Sequence, residues 1–418
     1  MSKGQAVIRT HILPCHLKRE MADAFNRASG AIYTGILVAH WRFVRKKGVW
    51  LSEKSGTRLS DLSIKGENEK VALHAHTIDA AQQGFYKACK TAKSLKKIDP
   101  TARYPHWTKK FRTTVWKNSA IKLRGERLEL SNGRRAPTIS IALPEVLKTV
   151  HQFLEARLVY DKKARRYTWH IVVENGHAPK ECKDNNTVSV DLGEIHPAVV
   201  GDEDEATLIV CRERRHVMQG HAKRLASLSK AISHKTKGSR RFKRLVQAKS
   251  RMKAKHERVM HDISHKVSRA IVAVAVERKA KTIVMGDIKD IADGVALGAR
   301  TNQKISGWNH GEIRKLVKYK AEAEGISLAL INEAYTSQTC PNCQQRHKPR
   351  GREYRCPSCG FQSHRDVVGQ INILSRFKQG EVGKIAIPQS IKQRRPAAPG
   401  KRSMRRRLDT GQPQGCSS

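Results

Sequence analysis

The chain has 418 residues, of which 82 are Lys or Arg and 37 are Asp or Glu, giving a formal net charge of +45. Such an excess points to a polyanionic partner, and an aromatic fraction of only 5% does not suggest a membrane surface. There is no apolar run long enough to span a bilayer, Met1–Thr10 lacks a secretory core, and the Cys outside one cluster are scattered (Cys15, Cys89, Cys182, Cys211, Cys416); an intracellular, reducing compartment is expected.

Val7 to Leu13 is a short apolar run, read as a strand. From Leu17 to Trp50 the positions Met21, Phe25, Ala28, Ile32, Ile36 and Trp41 recur at helical spacing, and Glu67 to Leu95 repeats the pattern with His74, Ile78, Ala81, Phe85 and Ala88. The second helix carries Lys87, Lys90, Lys93, Lys96 and Lys97, a basic face suited to nucleic acid. After Pro100 the period changes to two. Val115-Trp116, Ile121 to Leu123, Leu128 to Leu130 and Ile139 to Ile141 are separated by Gly125, Asn132-Gly133 and Pro137, a β-rich module with Asn132-Gly133 as a hairpin turn. Arg157, Tyr160, Tyr167 and Trp169 interleave charge and aromatics on two further strands, as a platform for backbone contact and base stacking would.

Lys180 to Asn186 is polar and marks a boundary. Thr187 to Gly193 is then a strand ending in Asp191, followed by strand-like runs at Ala198–Val200 and Ala206–Cys211. This opening resembles the three-stranded meander of an RNase H-like domain. Between Arg212 and Arg258 lie seventeen Lys or Arg and two acids, Glu213 and Glu257. Leu245, Met252, Val259, Ile263, Val267, Ile271 and Val274 keep helical spacing through and beyond that span, so one face is buried while the rest is positive. Lys281 to Asp287 is another strand, Asp290 to Arg300 a loop, Trp308 to Glu324 a helix, and Ser327 to Glu333 a last strand ending in an acid.

Cys340-Pro-Asn-Cys343 and Cys356-Pro-Ser-Cys359 form a four-thiolate set at structural zinc spacing. The last helix starts at Asp366. Asp191, Asp366 and a third acid from Asp287 or Glu333 stand where strands end or a helix begins. Singly, each is a turn or cap residue; jointly they suit paired divalent ions about 4 Å apart, for which Mg²⁺ is the expected metal. Beyond Lys378 the chain turns Pro-, Gly-, Gln- and Arg-rich and is expected to be a disordered basic tail.

Asp191-x-Gly193, His265-Lys266, Tyr319-Lys-Ala, Tyr335-Thr-Ser-Gln-Thr-Cys340-Pro-x-Cys343, Cys356-x-x-Cys359-Gly360 and His364-Arg365-Asp366-x4-Ile371-Asn372-Ile373-Leu374 resemble the TnpB (OrfB) family of transposon-encoded RNA-guided nucleases and the related miniature type V CRISPR effectors. The resemblance covers roughly residues 185 to 378 and is looser over the first 180. It implies an α/β RuvC/RNase H-like nuclease domain with an inserted zinc ribbon, preceded by a wedge-like β-module that carries a helical recognition part. The implied divisions are residues 1–15 as the first strand of the β-module, 16–100 as the helical recognition part and 101–180 as the β-rich wedge. Residues 185–336 would be the RuvC-like domain, 337–362 the zinc ribbon, 363–378 the final RuvC helix and 379–418 the tail.

The implied activity is metal-dependent endonucleolytic cutting of double-stranded DNA matched to a bound guide RNA, in the bacterial or archaeal cytoplasm at the nucleoid. Asp191, Glu333 and Asp366 would hold catalytic Mg²⁺, and Cys340, Cys343, Cys356 and Cys359 structural Zn²⁺. The family usually places a Glu where this chain has Gly286. Glu333, at the end of the neighbouring strand, is preferred for that role over Asp287. An incomplete site would leave a guided DNA-binding protein that acts by occupancy, and an unguided transposase accessory protein with a zinc ribbon is a third reading. Oligomeric state stays open.

Overall fold

The structure, a computed structural model, describes residues 8–60, 73–133, 136–150, 152–162, 164–174, 185–287, 310–349, 351–383 and 385–396. The loop read at Asp290–Arg300, most of the boundary at Lys180 and the tail from residue 397 lie outside them. The chain divides into two compact units, Met1–Ala178 and Pro179–Ser418.

In the first unit, β1 (Ile8–Pro14) is followed by α1 (Arg19–Lys47) and α2 (Ala75–Lys96) before β2 (Thr114–Lys117) begins. With β6 (Gln152–Asp161) and β7 (Arg166–Glu174) these strands form an antiparallel sheet ordered β1-β7-β6-β2. The two helices are thus a sequence insertion between its two edge strands. Phe25 and Ile32 of α1 pack with Trp116, Leu158, Trp169 and Ile171 of the sheet. Asn26, buried inside a helix, is tolerated because its Nδ2 donates to Leu158 O and its Oδ1 accepts from Thr114 N and Oγ1 at 3.1 and 2.8 Å.

A second small sheet joins β3 (Ile121–Arg124), β4 (Arg127–Leu130) and β5 (Ile139–Ala142); the short α3 (Glu145–Lys148) follows. Its tight turn is Gly125-Glu126, where Gly125 takes φ +56°, rather than Asn132-Gly133, which sits in the longer β4–β5 connection.

The second unit is mixed α/β. β8 (Asn186–Asp191), β9 (Ala198–Gly201) and β10 (Glu205–Ile209) form an antiparallel meander. The helices α4 (Arg212–Ser233) and α5 (Arg240–Glu277) lead to β11 (Ala280–Gly286), and α6 (His310–Ala323) to β12 (Ser327–Ile331). β11 pairs parallel with both β8 and β12. After β13 (Glu353–Arg355), β14 (Gln362–His364) and α7 (Arg365–Gln379), β15 (Ser390–Arg394) adds to β10, so the sheet reads β12-β11-β8-β9-β10-β15. Helices cover both faces: Ala198 and Val200 pack with Ile263, Val267 and Ile271 of α5 and Ile313 of α6, whereas Val199 and Leu208 pack with Val367 of α7. Strands buried on both sides need near-continuous apolar runs, which β9 and the second half of β11 supply, whereas β8 alternates Val188 and Val190 with Ser189, a buried hydroxyl satisfied by Gln370 O.

Two expectations are corrected. The segment beyond Lys378 is not wholly a tail, because Ser390–Arg394 pairs parallel with β10 and its charges are held by Glu205 and Glu277 at 2.5 Å. A polar segment can join an edge because the neighbouring strand supplies the hydrogen bonds and only one side is covered. Secondly, the basic wall is a two-helix arm: α5 has no buried residue before Ala254, and Leu245 and Met252 are only half-buried. In α4 the sole buried residue is Arg214.

Candidate functional site

The carboxyl ends of the parallel strands β8, β11 and β12 lie side by side, since Met285 is level with Val190 and Gly286 with Ile331. In open α/β sheets such an edge, where neighbouring connections diverge, is where ligands are taken. Asp191 closes β8, and Glu333 follows β12 by two residues. Asp366 stands in the first turn of α7, whose N-cap is His364; its Nδ1 accepts from the Asp366 amide at 3.2 Å. The helix is fixed against β8 by Ser189, whose Oγ donates to Gln370 O at 2.8 Å.

Three glycines give the acids room. A Cβ at Gly286 would lie 2.1 Å from Glu333 Oε2, and one at Gly369 would lie 2.6 Å from Asp191 Oδ2. At Gly193 a Cβ would meet His196 O at 2.6 Å, with Asp366 Oδ2 at 3.9 Å. Glu333 and Asp366 both lie near enough to Asp191 for their charges to bear on it, although the three carboxylates are not drawn together within 4.8 Å, and the space beside Gly286 holds the Glu333 carboxylate. Asp287 stays close enough to Glu333 for its charge to be felt there, but it has a partner of its own. Its carboxylate pairs with Arg314 of α6, and its amide donates to Ile331 O at 2.7 Å.

The electrostatics follow from this crowding. Burial and then the charges of Glu333 and Asp366 push Asp191 well above the usual carboxylate range. Burial, followed by Asp287, pushes Glu333 up to about 7. Carboxylates that repel one another in a partly dry cleft suit a divalent cation, whose charge offsets that repulsion. Sequence reading missed His196 and His364, whose ring nitrogens gather with a carboxylate oxygen of Asp366 within 4.8 Å. His364 was visible only as a neighbour of Asp366, and His196 carried no spacing signal.

The four cysteines converge. Their sulfurs all lie within 4.8 Å of one another, with Cys340 to Cys359 at 3.7 Å and Cys343 to Cys356 at 3.5 Å. These separations are far beyond a disulfide bond, whereas four sulfurs about 2.3 Å from one tetrahedral zinc ion lie about 3.8 Å apart. The Phe361 amide first, and then Asn342, pulls the Cys359 thiol down to about 6. The knuckle is tied to α7, because Cys340, Tyr354 and Cys356 pack with Val368. Asn372 of the same helix donates to Thr336 O and Thr339 O at 2.7 and 2.8 Å.

In the first unit the expected aromatic platform is smaller than the pattern implied. Trp169 is only 2% exposed, Arg157 pairs with Glu155, and the Tyr167 hydroxyl donates to Asp23 at 2.6 Å. The exposed rings are instead Trp107, which the period-two run includes, and Trp50, which lies before it. All five α2 lysines are exposed or follow the helix at its exposed end. Among the described residues no helix is long and apolar enough to cross a membrane.

Residues 170–292 match the family model described as "Probable transposase", OrfB_IS605, and residues 310–373 the model "Cas12f1-like, TNB domain". This chain is a relative of the TnpB and Cas12f proteins. It is 25% identical over 191 residues to the TnpB-like protein MJ0751 of Methanocaldococcus jannaschii, covering 45% of this chain and 66% of that one. It is 30% identical over 113 residues to the CRISPR-associated endodeoxyribonuclease Cas12f1 of Sulfoacidibacillus thermotolerans, covering 26% of this chain and 25% of that one. The chain thus spans just under two thirds of the first relative and a quarter of the second. A solved Cas12f1-sgRNA-target DNA complex has a protein chain of similar fold, with TM-score 0.55, 13% identity, and 85% and 83% of the two chains covered.

Proposed function

We propose that the second unit is a RuvC-like nuclease domain and that the chain is an RNA-guided DNA endonuclease. The observation that carries this reading is that Glu333, just after β12, and Asp366, at the start of α7, both bear on the charge of Asp191 at the carboxyl end of β8. Those three carboxylates would hold Mg²⁺, which when bound supplies activation of water and charge neutralisation at a phosphodiester. The chain's own contribution is to fix the carboxylates. Ser189 and Gln370 lock β8 to α7, Gly286 and Gly369 keep space open, and the zinc knuckle ties the Glu333 segment to the Asp366 helix.

On this reading sequence is read by a guide RNA while the protein grips backbone, a division of labour that accounts for a charge of +45. The first unit is assigned the wedge-like and recognition parts, with residues 337–362 as the zinc ribbon. Relatives named as a TnpB-like protein and a Cas12f1 endodeoxyribonuclease support the class. The reading as a guided binder that does not cut rested on Gly286; Glu333 Oε2 lying in the space a residue 286 side chain would take favours cutting.

The test is to purify the chain with its expressed locus, sequence any bound RNA, and present duplex DNA matched to it with Mg²⁺. Cutting lost in Asp191→Ala and Glu333→Ala, with RNA retained, is expected. A discrete bound RNA without cutting would favour the guided binder, and no discrete RNA would favour the unguided accessory protein.

A further inference from the structure

Helix α5 carries His261 and His265 four residues apart, so both rings leave the same face. Their Nε2 atoms lie 3.1 Å apart. On the far side of its ring, His261 Nδ1 lies 2.5 Å from Glu312 Oε1 of α6, and Glu312 Oε2 accepts from Ser264 Oγ at 3.1 Å. With Glu312 accepting the Nδ1 proton, the lone pair of a neutral His261 sits on Nε2 and faces the other imidazole. A carboxylate that fixes the tautomer and orientation of a histidine in this way is the usual outer shell of a metal ligand.

Two imidazole nitrogens about 2.1 Å from one tetrahedral ion lie about 3.4 Å apart, close to the separation found here. We propose that His261 and His265 are a two-imidazole chelate for a borderline divalent transition cation, with Glu312 holding His261 in the ligating tautomer. The His261 side chain is 57% exposed, so water can complete the coordination. Imidazole nitrogens favour Ni²⁺, Cu²⁺ or Zn²⁺ over Mg²⁺, which sets this site apart in chemistry from the carboxylates around Asp191. The competing account is a plain hydrogen bond between the two rings, which would leave no metal affinity at this place. The proposal does not depend on the nuclease reading.

The full chain, already loaded with zinc at its cysteines, is titrated with Ni²⁺ by calorimetry in the presence of excess Mg²⁺. One bound equivalent is expected to disappear in His261→Asn and in His265→Asn, and to weaken about 10- to 100-fold in Glu312→Gln. Cu²⁺ added at one equivalent should give a spin-resonance spectrum with coupling to two imidazole nitrogens, reduced to one in either His variant. Circular dichroism identifies any variant that fails to fold, and for such a variant the wild-type Cu²⁺ spectrum decides alone. Unchanged Ni²⁺ stoichiometry and affinity in both folded His variants, or no two-nitrogen coupling in the wild type, would overturn the site.

Discussion

Glu333 holds its carboxylate where a side chain on Gly286 would begin: a Cβ there would stand 2.1 Å from Oε2 and 3.0 Å from Glu333 Cβ. The two positions sit at the ends of adjacent parallel strands, Gly286 level with Ile331. The Glu333 carboxylate thus occupies the room into which a side chain at position 286 would start.

Gly286→Ala should displace Glu333 without disturbing the buried strand behind it. An ångström-scale misplacement of a positioned group costs about 10²-fold in rate, so DNA cutting is expected to fall by that order while the melting temperature holds. The double variant Gly286→Glu with Glu333→Ala should recover a large part of the loss, because the same space is then filled from β11. Cleavage assays on the two variants decide it. Recovery no better than in Glu333→Ala alone would show that the Glu333 backbone position itself matters.

The acidity of Glu333 gives a stability signature that needs no substrate. Its carboxyl is raised from 4.5 to about 7 by burial and by Asp287, so between those values the folded chain keeps a proton that the unfolded chain has released. Stability from this group is then present below about 4.5 and is lost as pH rises through about 7. In Mg²⁺-free buffer, Glu333→Gln should flatten the fall in melting temperature across that window and leave the protein more stable than wild type at pH 8. Added Mg²⁺ should raise the wild-type melting temperature at pH 8 more than that of the variant. The opposite ordering at pH 8 would mean that the cleft stabilises an ionised Glu333.

What could be read from sequence was mostly local. Cys340 to Cys359 declare themselves because each Cys-x-x-Cys closes one turn, and α5 from Ala254 onward because its apolar positions repeat at helical spacing. The space shared by Gly286 and Glu333 depends on the register of two strands forty-odd residues apart, and no local pattern encodes it. Ser390–Arg394 has only Ile391 as an apolar residue, so its composition does not distinguish it from a tail; its order comes from β10 and from Glu205 and Glu277. Trp169 looked available for stacking because alternation does not say which face is inward, and the helix α1 covers its side.

Removing one thiolate should undo more than the knuckle. Cys356 is buried and packs with Tyr354 and with Val368 of α7, the helix that carries Asp366. Metal loss in a structural site removes folding energy, and about 4 kcal/mol in a unit of this size corresponds to a shift of about 10 °C. Cys356→Ser is expected to bind no zinc at this set, to melt about that much lower in the second unit, and to expose the 340–364 segment to protease. Stoichiometric zinc loss with unchanged melting would separate the knuckle from the helix.

Asn372 links the helix to the acid across the chain. Its Nδ2 donates to Thr336 O and Thr339 O, and the Thr336 amide and hydroxyl donate in turn to Glu333 O at 3.2 and 2.9 Å. Asn372 is fully buried, so Asn372→Ala leaves two carbonyls without that donor, a loss of about 1–3 kcal/mol for each one stranded away from water. Asn372→Asp should be worse than Ala, since a carboxylate offers no donor and adds charge against two carbonyl oxygens. A merely structural role predicts lower stability with the cutting rate per folded molecule unchanged. A positioning role predicts that Asn372→Ala also loses rate at temperatures where circular dichroism shows it fully folded, and that zinc stays bound. The second outcome is expected, because the strand of contacts runs from Asn372 through Thr336 to the residue that fills the space above Gly286.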